Sequence, residues 1–131
     1  MIDEILRIKK RCDFGEEMGK TLNLTMGEVE CIFTLADHRA ISSKQLSSML
    51  EVSPSRGSRI VAKLVDRGYI VTNVDPHDRR TVMLSLTEEG RRCHQELEQE
   101  KIICEQRLTS RLDAQQLRIV KDGLDILLKV M

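Results

Sequence analysis

Between Gly68 and Thr87 the chain exchanges one periodicity for another. On either side, apolar residues recur every three or four positions, the spacing of helices with one buried face. Between them, Tyr69–Val74 and Thr81–Leu86 are β-rich runs with a period of two, joined by the polar turn-forming loop Asp75-Pro76-His77-Asp78-Arg79-Arg80. A β-hairpin set into an otherwise helical chain restricts the fold to a mainly α protein with a small sheet, an α+β class. The side chains available for a core agree. With one Tyr, two Phe and no Trp in 131 residues, the interior must be built from Leu, Ile, Val and Met, which suits packed helices better than a β-sandwich.

What precedes the hairpin sharpens this. Ser42 or Ser43 is placed to cap a short helix containing Leu46, Met49 and Leu50. After the tight turn Glu51-Val52-Ser53, Ser53 followed by Pro54 starts a second helix, since Pro at the first helical position forfeits no needed hydrogen bond. That helix runs to Arg67, buries Ile60, Val61 and Leu64 on one stripe with Val65 as a further candidate, and stops at Gly68. Two short helices across a tight turn are a helix-turn-helix, and the hairpin directly behind them is a wing.

The flanks are helical. Ile5, Ile8, Cys12, Gly15, Met18 and Leu22 place one apolar face on a helix over Ile2–Leu22. Thr25 to Glu28 has capping-box spacing and opens a helix with Val29, Ile32, Phe33 and Ala36, ending near Asp37-His38-Arg39. Beyond the hairpin, Thr87 caps a long helix to about Ser110 with Cys93, Leu97, Cys104 and Leu108 on one side. Asp113 to Gln116 opens a last helix carrying Leu117, Val120, Leu124, Leu127, Leu128 and Met131. The expected order is α-α-(short β)-α-α-β-β-α-α. The terminal helices carry more apolar surface than one small lobe covers, and a homodimer would bury it.

Net charge is zero, yet its distribution is uneven. Residues 1–38 carry 5 basic and 8 acidic groups (−3), residues 39–92 carry 10 and 6 (+4), and residues 93–131 carry 6 and 7 (−1). A positive middle segment is the mark of a nucleic-acid partner more than the total is. No run approaches the roughly 18 apolar residues of a membrane span, and the N-terminal MIDEILRIKKRC lacks the uninterrupted core of a signal peptide. The expectation is therefore a single domain over 1–131, cytoplasmic and associated with the nucleoid, with no membrane partner. Cys12, Cys31, Cys93 and Cys104 form no CxxC pair, are too dispersed for a zinc site, and read as small buried hydrophobes. Cys93 and Cys104 share a helix face, but about 16 Å of helix axis keeps them from a mutual disulfide. The three histidines are isolated, and no Ser-His-Asp order, Gly-rich phosphate loop or metal spacing is present. No enzyme, metal or cofactor is expected.

Several stretches, in order, resemble the MarR family of bacterial and archaeal transcription regulators, named for multiple antibiotic resistance. They are Leu24-Thr25-x-x-Glu28; Gln45-Leu46-Ser47-Ser48-Met49-Leu50-Glu51-Val52-Ser53; Arg59-Ile60-Val61-x-x-Leu64-Val65-Asp66-Arg67-Gly68-Tyr69-Ile70; Asp75-Pro76-x-Asp78-Arg79-Arg80; and Leu84-Ser85-Leu86-Thr87-Glu88-Glu89-Gly90. The resemblance covers about residues 24–92. It implies a winged helix-turn-helix lobe over 24–92 with dimerisation helices at 1–22 and 93–131. It also implies a homodimer on a near-palindromic double-stranded DNA operator, most often a repressor released by a small phenolic or anionic ligand. Three features depart from the family pattern. Gly57 lies inside the recognition helix, either for close backbone approach or simply tolerated at a cost of roughly 1 kcal/mol relative to Ala. Thr72 and Asn73 stand in the first wing strand where basic residues are common, and the N-terminal helix is short.

On the second helix, Ser53, Pro54, Ser55, Arg56, Ser58, Arg59 and Lys63 lie at its start or opposite the apolar stripe. Arg56 and Arg59 have the forked donors that pair with guanine in the major groove. Ser42, Ser43, Lys44 and Arg39 are expected on phosphates, which position a protein without reading sequence. The resemblance places Arg80, beside Arg79, in the minor groove, with Asp78 holding its guanidinium in line; a narrow minor groove attracts Arg through its negative potential. The competing readings are a solvated basic face, a surface ion pair of little energetic value, a winged-helix module that binds another protein, and a regulator sensing redox state or metal through its cysteines.

Overall fold

The structure, a computed structural model, describes residues 1–12 and 18–131. Its elements are α1 (Ile2–Arg11), α2 (Met26–Ala36), β1 (Ile41–Ser42), α3 (Ser43–Met49), α4 (Pro54–Asp66), β2 (Ile70–Val74), β3 (Val82–Leu86), α5 (Glu88–Thr109) and α6 (Ala114–Val130). Residues 18–20 are also helical. This is the expected α+β architecture, with the expected order of elements.

Local chemistry sets most boundaries. Thr25, Ser42 and Asp113 each accept a hydrogen bond from the main-chain N–H three residues on, and Glu28, Gln45 and Gln116 return it. Each reciprocal box satisfies two of the donors that a helix start leaves unpaired. Of the two serines expected to cap α3, Ser42 does so. Ser53 Oγ accepts from Arg56 N at 3.2 Å with Pro54 in the first turn, as expected. Gly68, at φ +79°, closes α4 in the left-handed region that a side chain would strain. Thr87 Oγ1 accepts from Gly90 N at 3.0 Å and donates to Gly68 O, so one hydroxyl starts α5 and pins the end of α4.

The three strands form an antiparallel sheet in the order β1-β3-β2. Ile41 lies opposite Leu84, and Ile70, Thr72 and Val74 lie opposite Leu86, Leu84 and Val82. Ile70, Leu84 and Leu86 are buried at the base of the hairpin, whereas Val74 and Val82 are exposed toward its tip.

One helix differs from expectation. The run Ile2–Leu22 is not continuous: α1 ends at Arg11, and Cys12 (φ −88°, ψ 89°) leaves the helical region. Gly15 lies outside the described residues. The three- and four-residue spacing is shared by two pieces with different surroundings. Ile2, Leu6 and Ile8 are exposed, while Met18 joins the core. Periodicity counts positions and cannot register a break between them.

The chain divides into two compact units, Met1–Glu98 and Gln99–Met131. The core of the first contains Val29, Ile32, Leu35, Leu46, Leu64, Leu84 and Leu97, each at most 1 % exposed. Cys31, Cys93 and Cys104 are buried as expected, whereas Cys12 is exposed because α1 buries none of its residues. In the second unit no residue of α6 is buried, and Ile119, Val120, Leu124, Ile126, Leu128 and Val130 are exposed. Among the described residues no helix is long and apolar enough to cross a membrane.

Candidate nucleic-acid interface

α3 and α4 are packed closely enough that their relative position is set by one glycine. A Cβ on Gly57 would overlap Ser47 Oγ and lie 3.2 Å from Ser47 Cβ. Both residues are buried. The departure at Gly57 is thus explained by close approach. The turn between the helices is held by Val52 N donating to Ser47 O at 3.1 Å and Glu51 N to Ser48 O at 3.1 Å. Glu51 adopts φ +54° to make it.

With Gly57, Ile60, Val61 and Leu64 turned inward, the other side of α4 is left to solvent. Ser53, Pro54, Ser55, Arg56, Ser58, Arg59 and Lys63 are all exposed, as is Lys44 on α3, and Ser42 and Ser43 are half-buried at the start of α3. The first turn of α4 is pre-ordered: Ser53 Oγ and Ser55 Oγ lie 3.2 Å apart, and Arg59 Nε donates to Ser55 O at 3.5 Å. Arg59 therefore lies along the helix toward its N-terminal end. Arg56, Arg59, Ile60 and Lys63, with Asp66, also line a groove of about 610 Å³ shared with Thr25–Glu28 at the start of α2. Sequence spacing gave no hint of this groove, because its two walls lie some thirty residues apart.

At the wing tip Asp78, Arg79 and Arg80 are exposed. The resemblance implied that Asp78 holds the Arg80 guanidinium. Its Oδ1 instead accepts from Arg80 N at 3.0 Å, and its Oδ2 accepts from Thr81 Oγ1 at 2.9 Å. Asp75 Oδ1 accepts from His77 N at 2.9 Å, and Asp75 N donates to Thr81 O at 2.9 Å. The Arg80 main-chain N–H, with the Thr81 hydroxyl second, holds the Asp78 carboxyl below the ordinary carboxylate range. Asp78 thus fixes where the backbone presents Arg79 and Arg80 while their guanidinium groups remain on the surface.

Arg39 stands apart from this set. It shares a cleft of about 420 Å³ with His38, Ser85, Leu86 and Arg91. Because β1 runs antiparallel to β3, that cleft is at the base of the hairpin, away from the wing tip. Proximity in sequence to Ser42 suggested a common role, and the strand direction separates them.

Residues 22–81 match the sequence profile of the MarR family. The matched span contains α2, the helix-turn-helix and the wing up to its return strand. The HTH-type transcriptional regulator YdcH of Bacillus subtilis, itself uncharacterized, is 33 % identical over 60 residues. Those residues are 46 % of this chain and 41 % of YdcH, so this chain spans less than half of that relative's length. Among solved structures, a MarR transcriptional regulator from Methanosarcina mazei Go1 superposes with a TM-score of 0.83 at 24 % identity, over 99 % of this chain and 98 % of that one. A mutant MarR from E. coli complexed with operator DNA superposes with a TM-score of 0.79 at 22 % identity, over 97 % and 91 %. At these identities the superpositions establish a MarR-type winged-helix fold.

Proposed function

We propose that this protein is a sequence-specific transcription regulator, a homodimer that binds a near-palindromic double-stranded DNA operator through α4 and the wing. The observation that carries the reading is the exposed face of α4. Ser55, Arg56, Ser58, Arg59 and Lys63 stand on a helix whose start is capped and whose angle to α3 is set by the Gly57 contact. Rigid presentation of forked donors is what base readout requires. Ser42, Ser43 and Lys44 contact phosphate, and Arg79 and Arg80 reach the adjacent minor groove from a turn that Asp78 orders. The operator complex of the E. coli MarR mutant, which shares the fold, supports the same use of it.

The division of labour follows the exposed surface. Residues 24–92 form the DNA-binding lobe, and residues 1–22 and 93–131 supply dimer contacts. The apolar side chains of α1 and α6 that are exposed among the described residues support this assignment. Two-fold symmetry in the protein implies a matching symmetry in the DNA. The regulator acts as a repressor in the cytoplasm, at the nucleoid, and is released by a small anionic or phenolic ligand. For such a ligand the groove beside α4 offers Met26 and Ile60 next to Arg56, Arg59 and Lys63, so an occupant would compete with DNA for the same cations. The cysteine-sensing alternative gains nothing from Cys31, whose thiol is pushed up to about 12 by burial, with the charge of Glu28 adding to it.

The test is to sequence the genomic fragments that the purified protein selects, with and without candidate ligands. Enrichment of one near-palindromic site supports the reading. No enrichment, or a monomer mass by light scattering at micromolar concentration, overturns it.

A further inference from the structure

Arg67 caps the C-terminal end of α4, yet its side chain serves a different element. Nη1 donates to Asn23 O at 2.8 Å and Nη2 to Leu22 O at 2.5 Å, across 44 and 45 residues of sequence. The Tyr69 ring lies 5.2 Å from the guanidinium carbon, a cation–π distance that fixes the plane of the fork. The two carbonyls belong to the turn that ends the helical residues 18–20. There Asn23 takes φ +53°, and Leu24 N donates back to Gly19 O at 2.8 Å. The helix-end carbonyls Gly19 O and Lys20 O already accept from Leu24 N and Asn23 N, and the two turn carbonyls beyond them receive their donors from one arginine at the end of the recognition helix.

We propose that Arg67 is a positioning residue, tying the C-terminal end of α4 to the turn at Leu22–Asn23 so that the spacing between the two half-sites is held fixed. The proposal rests on the DNA reading above and deepens it. Asn23 is the last step from the N-terminal arm into α2, and the arms supply dimer contacts in that reading. Whatever sets the arms in the dimer therefore reaches α4 through this tie. The lever is long enough to matter. The 13 residues of α4 span about 20 Å. A rotation of about 5° at the tied end thus moves the base-reading end by about 1.7 Å, half of the 3.4 Å step between base pairs. Two of the five N–H donors of Arg67, one on each terminal nitrogen, are engaged by carbonyls, and this tie needs no contact with DNA.

The experiment compares wild type, Arg67→Lys and Arg67→Ala on DNA carrying two fixed half-sites, with the spacer varied in single base-pair steps over about one helical turn. Wild type should bind one spacer with a steep fall on either side. Arg67→Ala should lose about tenfold at that spacer, the worth of a charge-assisted hydrogen bond, and its profile should flatten while half-site sequence preference stays the same. Arg67→Lys, which keeps the charge but lacks the fork, should fall between them. A second reading needs no DNA: hydrogen exchange over residues 18–24 should quicken in Arg67→Ala, with exchange at Leu46 and Leu64 unchanged. An unaltered spacer profile overturns the proposal, as does unaltered exchange at 18–24. A salt slope reduced by about 0.9 per half-site would make Arg67 a phosphate contact and overturn it equally. If wild type selects no DNA while Arg67→Ala still loosens residues 18–24, the DNA reading is what has failed; the tie is then only a packing feature.

Discussion

Replacing Gly57 by alanine adds one methyl group at the closest approach of α3 and α4. In an exposed helix interior the change stabilises by about 1 kcal/mol, because glycine has more backbone freedom to lose on folding. Here the new Cβ overlaps Ser47 Oγ and lies 3.2 Å from Ser47 Cβ, with Ser47 Cα at 3.6 Å. The hydroxyl can rotate away, but Ser47 is only 5 % exposed, so it turns into packed surroundings and the Cβ contact remains tight. Overpacking of this kind costs about 1–3 kcal/mol. The two effects leave a net loss of about 1 kcal/mol, a fall in Tm of about 3–5 °C for a chain of this size. Ser47→Ala removes the overlapping oxygen and leaves the backbone in place. The double variant should therefore recover most of the loss, with a coupling of about 1–2 kcal/mol between the two sites.

Urea unfolding of the four proteins measures this directly, provided that the m-value is constant. DNA affinity adds an independent reading. A few tenths of an ångström between α3 and α4 should weaken binding in Gly57→Ala under conditions where the variant is fully folded, and Ser47→Ala should restore it. If Gly57→Ala stabilises by about 1 kcal/mol in both backgrounds, position 57 behaves as an ordinary exposed helix glycine. The reasoning from close approach is then wrong.

Three further outcomes are expected. Despite zero net charge, DNA affinity should fall steeply from 50 to 200 mM salt, with a slope of about −0.9 per neutralised phosphate, because residues 39–92 carry a local +4; an affinity indifferent to salt would favour a protein partner instead. Selection from random DNA should show Arg59→Ala relaxing one position of each half-site at a cost of roughly 1–3 kcal/mol. Arg80→Ala should weaken binding mainly at A·T-rich flanks, and Asp78→Ala should resemble it by loosening the turn that presents Arg80; variants indistinguishable from wild type would reduce this face to solvated surface. Finally, because burial raises the Cys31 pKa to about 12, folding keeps a proton that the unfolded chain releases at lower pH. The Cys31 contribution should be constant below the ordinary thiol pKa and decline as pH rises toward 12, and Cys31→Val should lack that component of the alkaline loss.

The parts of this molecule that were legible in its sequence are those fixed over a few residues. A capping box needs only four positions, so Thr25–Glu28 and Asp113–Gln116 could be identified without knowing what the helices pack against. The same holds for Ser53-Pro54 and for the switch to period two after Gly68. Approach between elements is a different kind of information. Gly57 left close approach and simple tolerance both open and named no partner, and the DPxDRR loop marked a turn without showing that Asp78 holds the Arg80 main chain rather than its side chain. Arg39 shows the same limit, since two residues short of β1 it lies at the opposite end of the sheet from the wing tip.

Arg67 makes the point most sharply. As a cation following a basic helix face, it reads from sequence as one more phosphate contact or as solvated surface. Its guanidinium belongs to carbonyls 44 and 45 residues earlier, and the exposed asparagine that accepts from it carries no chemical signal of its own. A basic residue near a DNA-reading helix thus has two physically different uses. One neutralises phosphate and adds to the salt slope; the other satisfies the carbonyls of a turn and leaves the slope unchanged. Counting the positive charges of residues 39–92 assigns all of them to the first use. The salt slope measured for wild type should therefore be smaller than that count implies, and the Arg67 variants should leave it where it stands.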